Sequence, residues 1–207
     1  MGNTSPFASL FGTFPPSGLL VTGIDAAGKS ALLQYLAQGL QIEAGVEQDN
    51  SMDYFAVERI THKQMQITSW DVGGSMKIRP LLLHYYKNMH CIVFVVNRTE
   101  TERIMFAKSE LYKILQEEET VGWPILIFLN FSDQYPTKGY SELQLCEKFE
   151  LTSIRDRHWF IQPCTATTGH GVLEGFQWLR AALTKRAPVH ETIDNSERDK
   201  TTKSARS

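Results

Sequence analysis

Only three cysteines occur in 207 residues, Cys91, Cys146 and Cys164, and they stand far apart. An odd number cannot all pair, and no two have zinc-ligand spacing. They read as free thiols in a reducing compartment. No apolar run approaches the length of a membrane span. Residues 1–20 hold no Lys or Arg and no long apolar block, so no secretory signal is expected. There is no excess of either charge: the formal net value is −2. Without a clustered basic face, no nucleic-acid partner is expected. Internal repeats are absent. The length suits one domain with a real core and leaves little room for a second. From about Pro188 onward large apolar residues almost vanish, so 187–207 is expected to be a disordered tail.

What is present alternates between two patterns. Leu19-Leu20-Val21-Thr22 is a short apolar strand. Leu32, Leu33, Leu36 and Leu40 then recur at helical spacing. Phe55 to Ile60 and Met65 to Trp70 suggest two strands, with 61–64 as the turn between them. CIVFVV (91–96) and ILIFLN (125–130) are continuous apolar runs, which suit buried strands covered on both faces. Ile104, Ala107, Leu111, Ile114 and Leu115 stripe a helix between them. Ser141 and Gln144 have capping-box spacing and open another helix. Trp159-Phe160-Ile161 is the last strand, and Val172, Phe176, Leu179 and Leu183 mark the last helix. Strands alternating with helices predict an α/β fold, a doubly wound and mostly parallel sheet. Its ligand sites belong at the carboxyl ends of the strands.

The polar motifs fall at those ends. Gly23-Ile24-Asp25-Ala26-Ala27-Gly28-Lys29-Ser30 fits G-x-x-x-x-G-K-[ST], between a strand and a helix. Its backbone N–H groups can wrap phosphates, with the helix N-terminus adding its dipole. Lys29 supplies charge to the β- and γ-phosphates, and the Ser30 hydroxyl ligates Mg²⁺. Asp71, at the strand end within WDVGGS (70–75), can hold the same ion directly or through water, and Gly74 offers a backbone donor where a γ-phosphate would sit. Asn130-Phe131-Ser132-Asp133 ends another strand. Asp133 can accept from guanine N1–H and N2–H₂, a donor pair adenine lacks. A backbone N–H at Thr165-Ala166 can meet guanine O6.

Together, GIDAAGKS, WDVGGSMKIRPLLLHYY, IVFVVN and FIQPCTATTGHGVLEGFQWL resemble the ADP-ribosylation-factor branch of the small GTPases, including its ADP-ribosylation-factor-like members. The resemblance covers roughly Gly18 to Leu183 and implies a GTP/GDP switch, with Mg²⁺, that recruits effectors to membranes. It also implies an exchange factor and an activating protein. The chain departs from the pattern at three places. Ser75 stands where the family usually has the Gln that orients the attacking water, and serine is too short to do so. The first-switch Thr that ligates Mg²⁺ falls on Met52, whose sulfur suits a hard cation poorly; Ser51 is the neighbouring oxygen. Phe131 replaces the Lys of N-K-x-D. Its ring either stacks on the base or belongs to the core.

At the start, Ser5-Pro6 reads as N-cap and first helical residue. Phe7, Leu10, Phe11 and Phe14 share one face, and Pro15-Pro16 ends the segment. Residues 1–17 are thus expected to form an amphipathic helix and linker ahead of a nucleotide-binding domain at 18–186. Gly2 is a candidate for N-myristoylation, although Pro6 occupies the position where that pattern wants Ser or Thr. The resemblance implies that this helix exchanges between the protein and a membrane surface, in a cytoplasmic protein reversibly bound to Golgi or other endomembranes. Three functions remain open. One is a slow GTPase switch acting in membrane trafficking. Another is a pseudo-GTPase that keeps the fold as an interaction module. The third is an ATP-using phosphotransferase, against which Asp133 argues.

Overall fold

A computed structural model describes residues 5–42, 46–49, 57–63, 65–70, 86–131 and 137–184. Gly2, Ser51, Met52, Asp71, Gly74, Ser75, Asp133 and the tail from 185 lie outside the described residues. Among the described residues, seven strands form one sheet in the order β2-β3-β4-β1-β5-β6-β7. They are β1 (Ser17–Thr22), β2 (Glu47–Asp49), β3 (Val57–His62), β4 (Met65–Ser69), β5 (Cys91–Asn97), β6 (Ile125–Asn130) and β7 (Trp159–Pro163). The α-helices whose full span lies among the described residues are α1 (Pro6–Phe11), α2 (Lys29–Gly39), α3 (Ile104–Leu115), α4 (Glu142–Phe149) and α5 (Val172–Thr184). Pairing is parallel from β4 through β1, β5 and β6 to β7, and antiparallel for β2 with β3 and β3 with β4.

Alternation along the central strands divides the core into two layers. Leu19, Val21, Cys91, Val93, Val95 and Phe128 point to one face and pack with α1, α2 and α5. Leu20, Ile92, Phe94, Val96, Ile127 and Leu129 point to the other, with α3 and α4. Both apolar runs are therefore buried throughout, as parallel strands covered on two sides must be. The capping box opening α4 is present: Ser141 Oγ accepts from Gln144 N–H, and Gln144 Oε1 accepts from Ser141 N–H. All three cysteines are buried, and none forms a disulfide. Burial pushes the Cys91 thiol far above its ordinary range.

Four expectations need correction. The hairpin strand runs over 57–62, two residues beyond the expected end at Ile60, and the chain reverses at Lys63, which takes a left-handed φ of 55°. The reversal falls inside the expected turn at 61–64, which is shorter than expected because the strand runs on through His62. Residues 47–49 form an edge strand where no strand was expected, paired Glu47 to Arg59, Gln48 to Glu58 and Asp49 to Val57. Its acidic residues disfavour strands, and the neighbouring edge overrides that preference. The last strand continues two residues past Ile161, to Pro163. Finally, α1 stops at Phe11, so Phe14 lies beyond the helix, and Ser5 occupies the N-cap position without a side-chain cap bond.

Helix α1 is docked. Phe7, Leu10 and Phe11 are buried against α2 and α5, and Phe14 stacks on Phe11 at 4.9 Å between centroids. Full burial of such side chains stabilises by about 1.5–3 kcal/mol each.

Candidate functional site

Strand β1 is central, completely buried and flanked on both sides. Its carboxyl end delivers the 23–28 loop to the middle of the sheet edge. Gly28, the last loop residue, has φ 99°, a region costly for side chains. A Cβ there would lie 2.2 Å from Asn130 Nδ2. Ala26 also takes a left-handed φ, 58°, which a non-glycine residue adopts only at a cost. Lys29 is buried at the floor of the loop. Its ammonium donates to Gly23 O at 3.0 Å and Ile24 O at 2.6 Å, so the loop curls around the cation it will present to an anion. Beside it, Ser30 Oγ donates to Glu58 Oε2 at 2.8 Å.

Asn130 joins three loops. Its Nδ2 donates to Ala27 O at 2.8 Å, and its Oδ1 accepts from Phe131 N–H at 2.9 Å and Ala166 N–H at 3.0 Å. The side chain that ends β6 thereby sets the phosphate loop against the turn after β7. The Ala166 N–H, expected to meet a guanine O6, here donates to Asn130 Oδ1. Thr165 is buried, and its N–H donates to His170 O at 3.0 Å. Phe131 is half-buried with φ 69°, and its ring tip stands 3.9 Å from the position a Gly28 Cβ would take. The ring therefore leans over the phosphate loop, and Phe131 is absent from both buried core layers.

Two contributors were not apparent from the sequence. Arg103, just before α3, forms a twin hydrogen bond to Asp25 of the loop, with Nη1 at 3.2 Å from Oδ2 and Nη2 on Oδ1. Those bonds hold the Asp25 carboxyl below its ordinary range. Glu58 is the other, placed opposite Ser30 by the face of β3 that also turns Ile60 into the core. Their separations of 78 and 28 residues leave no local signal. Ser30 and Glu58 offer two adjacent hard oxygens, which fit Mg²⁺. No group of three or more His, Cys, Asp and Glu suited to a metal occurs among the described residues.

The family model for the ADP-ribosylation factor family matches residues 4–183. The chain belongs to the ADP-ribosylation factor family. It is also similar to ADP-ribosylation factor J of Dictyostelium discoideum, at 36% identity over 183 residues, covering 87% of this chain and 94% of that protein. A small-GTPase fold and a guanine-nucleotide-binding switch follow from membership. Members of the ADP-ribosylation factor family generally bind their nucleotide with Mg²⁺. No helix among the described residues is long and apolar enough to cross a membrane.

Proposed function

We propose that this ADP-ribosylation factor relative is a membrane-associated switch that distinguishes GTP from GDP and hydrolyses GTP slowly. The observation that carries the reading is Asn130, which holds the phosphate loop, the Phe131 segment and the Thr165-Ala166 turn in one hydrogen-bonded unit. A site braced in this way grips both ends of a nucleotide. Lys29 balances phosphate charge, Asp133 selects guanine, and Phe131 covers the phosphate loop beside the base. Ser30, with Glu58 beside it, would hold Mg²⁺, with Asp71 and Ser51 as further oxygens. The ion supplies charge neutralisation on the β- and γ-phosphates. Gly74 and Asp71 sense the γ-phosphate. Ser75 lacks the reach to orient water, a loss that falls on the transition state more than on binding.

Helix α1, with Gly2 acylated where the cell supplies the lipid, is the proposed membrane contact, because one acyl chain alone binds only marginally. The setting is trafficking at Golgi or other endomembranes from a cytoplasmic pool. An exchange factor, an activating protein and effectors complete the cycle. The test is nucleotide competition on the purified full chain. GTP should compete at least a hundredfold better than ATP, and Asp133→Asn should shift preference toward xanthosine triphosphate. Equal competition by ATP refutes guanine selectivity, and a site that takes up no nucleotide supports the pseudo-GTPase alternative.

A further inference from the structure

Arg103 precedes helix α3 as its N-cap residue and makes no side-chain cap bond there. A cation at that end of a helix opposes the helix dipole, so its own helix disfavours it. Its partner is Asp25, in the middle of the phosphate loop: Nη1 donates to Oδ2 at 3.2 Å and Nη2 donates to Oδ1. The guanidinium is also held from behind. Glu100 Oε2 accepts from Nη1 at 3.4 Å, and Glu100 Oε1 accepts at 3.2 Å from Nδ2 of Asn97, the last residue of β5. A relay of polar contacts therefore runs from the sheet to the loop. Stability does not account for it. The Asp25 and Arg103 side chains are 63% and 38% exposed, and exposed ion pairs contribute little to a fold.

We propose that Arg103 is a positioning residue that draws the Asp25 carboxylate aside and cancels its charge, and that the phosphate loop's preference for a triphosphate over a diphosphate depends on it. The inference rests on the guanine-nucleotide reading above. Asp25 and Lys29 are the only acidic and basic side chains in 23–30. They are close enough to feel each other. The Arg103 hydrogen bonds are the main reason the Asp25 carboxyl lies below its ordinary range, and the Lys29 charge lowers it further. A carboxylate without Arg103 would compete with the phosphates for Lys29. Arg103 supplies a second cation and engages both carboxylate oxygens, and that two-point grip fixes where the group points as well as its charge. Removing Arg103 makes the surroundings of the loop one charge more negative. GTP carries more negative charge than GDP, so it suffers more from that change.

The experiment compares affinities for GDP and for a non-hydrolysable GTP analogue, both with Mg²⁺, on the full chain. One unit charge across the width of a loop shifts an affinity by about three- to tenfold. Arg103→Ala should therefore lower the ratio of GTP-analogue to GDP affinity by about that factor. Arg103→Gln, which keeps a donor without the charge, should lower it as far, and Arg103→Lys should hold it near the wild-type value. Adding Asp25→Asn to Arg103→Ala should restore the ratio, and Asp25→Asn alone should raise it. Raising the salt from about 0.05 M to about 1 M should shrink the Arg103→Ala effect, because exposed charges are screened. A purely mechanical brace would weaken both nucleotides alike, whatever stands at position 25. An equal loss of both, no loss in Arg103→Ala and Arg103→Gln, or no restoration by Asp25→Asn each overturns the proposal. If wild type binds guanine nucleotide and its ratio survives these changes, this inference alone fails. If wild type binds none, the underlying functional reading fails with it.

Discussion

Replacing Asn130 with Ala removes one side chain and disconnects three loops. The side chain is 1% exposed and makes three hydrogen bonds with backbone groups, one as donor to Ala27 O and two as acceptor from Phe131 and Ala166 N–H, and Cys164 Sγ adds a weak fourth to Oδ1 at 3.8 Å. Each such bond contributes about 0.5–1.5 kcal/mol net, so the set is worth about 3 kcal/mol. Ala166 is itself buried, so its N–H has no ready access to water after the change. In a chain of this size about 3 kcal/mol corresponds to a fall of about 6–12 °C in melting temperature. The same energy, if it orders the site for ligand, is about two orders of magnitude in affinity. Thermal unfolding with and without GDP separates the two costs. The ligand-free melting point reports the loss to the fold. The GDP-induced rise reports the loss to the site, and it should shrink markedly. Asn130→Asp keeps the acceptor and sets a carboxylate against Ala27 O, so it should lose the GDP-induced rise as well. If Asn130→Ala melts lower yet keeps the full GDP-induced rise, the three loops are not braced for nucleotide and the argument fails.

Single-turnover GTP hydrolysis should proceed in wild type no faster than about 10⁻⁴ s⁻¹, the scale of an unassisted small GTPase. Ser75→Gln should raise it by about 10²-fold, the lower range for a positioned catalytic group. A fast wild type would show that another residue positions the water, and no gain from Ser75→Gln would move the defect to Met52 and the metal. Docking of α1 should weaken in acid. His62 faces a cavity of about 230 Å³ lined also by Phe11, Gly12, Phe14, Lys63 and Met65. Its Nε2 is buried without a hydrogen-bond partner. Burial, and then the Lys63 charge, hold the imidazole below its ordinary value. The docked state thus binds the proton less well than the released one. Docking is at full strength above about pH 6.5 and declines as pH falls from there through the docked value. Protease cleavage within residues 6–14 should therefore rise between pH 7.5 and 5.5 in wild type and stay flat in His62→Gln. Identical profiles would refute it.

The sequence carried the central architecture because its signals there are local. CIVFVV and ILIFLN have one compatible environment, a strand buried on both faces, and the structure places them there. The phosphate loop and the capping box are also contiguous patterns whose chemistry is written in adjacent residues. Hidden features depend on pairs distant along the chain. Arg103 becomes part of the loop only because α3 starts beside Asp25, and Glu58 meets Ser30 only through the face that β3 presents to α2. The strand at 47–49 has no sequence signal of its own and exists because β3 offers an open edge. The end of α1 was overextended because apolar spacing continues to Phe14, while the backbone turns at Gly12 and lets that ring stack from outside the helix.

The uneven anchorage of the sheet has a mechanical consequence. Strand β1, which carries the phosphate loop, is clamped between β4 and β5 and has no solvent edge. Strand β2 is held at the margin by three residue pairs. Pulled from the same direction, the two would respond very differently: the first resists as part of the core, and the second peels. At about 0.5–1.5 kcal/mol for each backbone hydrogen bond lost, detaching β2 costs only a few kcal/mol. That sum is comparable to what a few new contacts to one phosphate group could return. The fold therefore carries the phosphate loop on a rigid centre and keeps, at one rim, a segment whose detachment costs only a few kcal/mol.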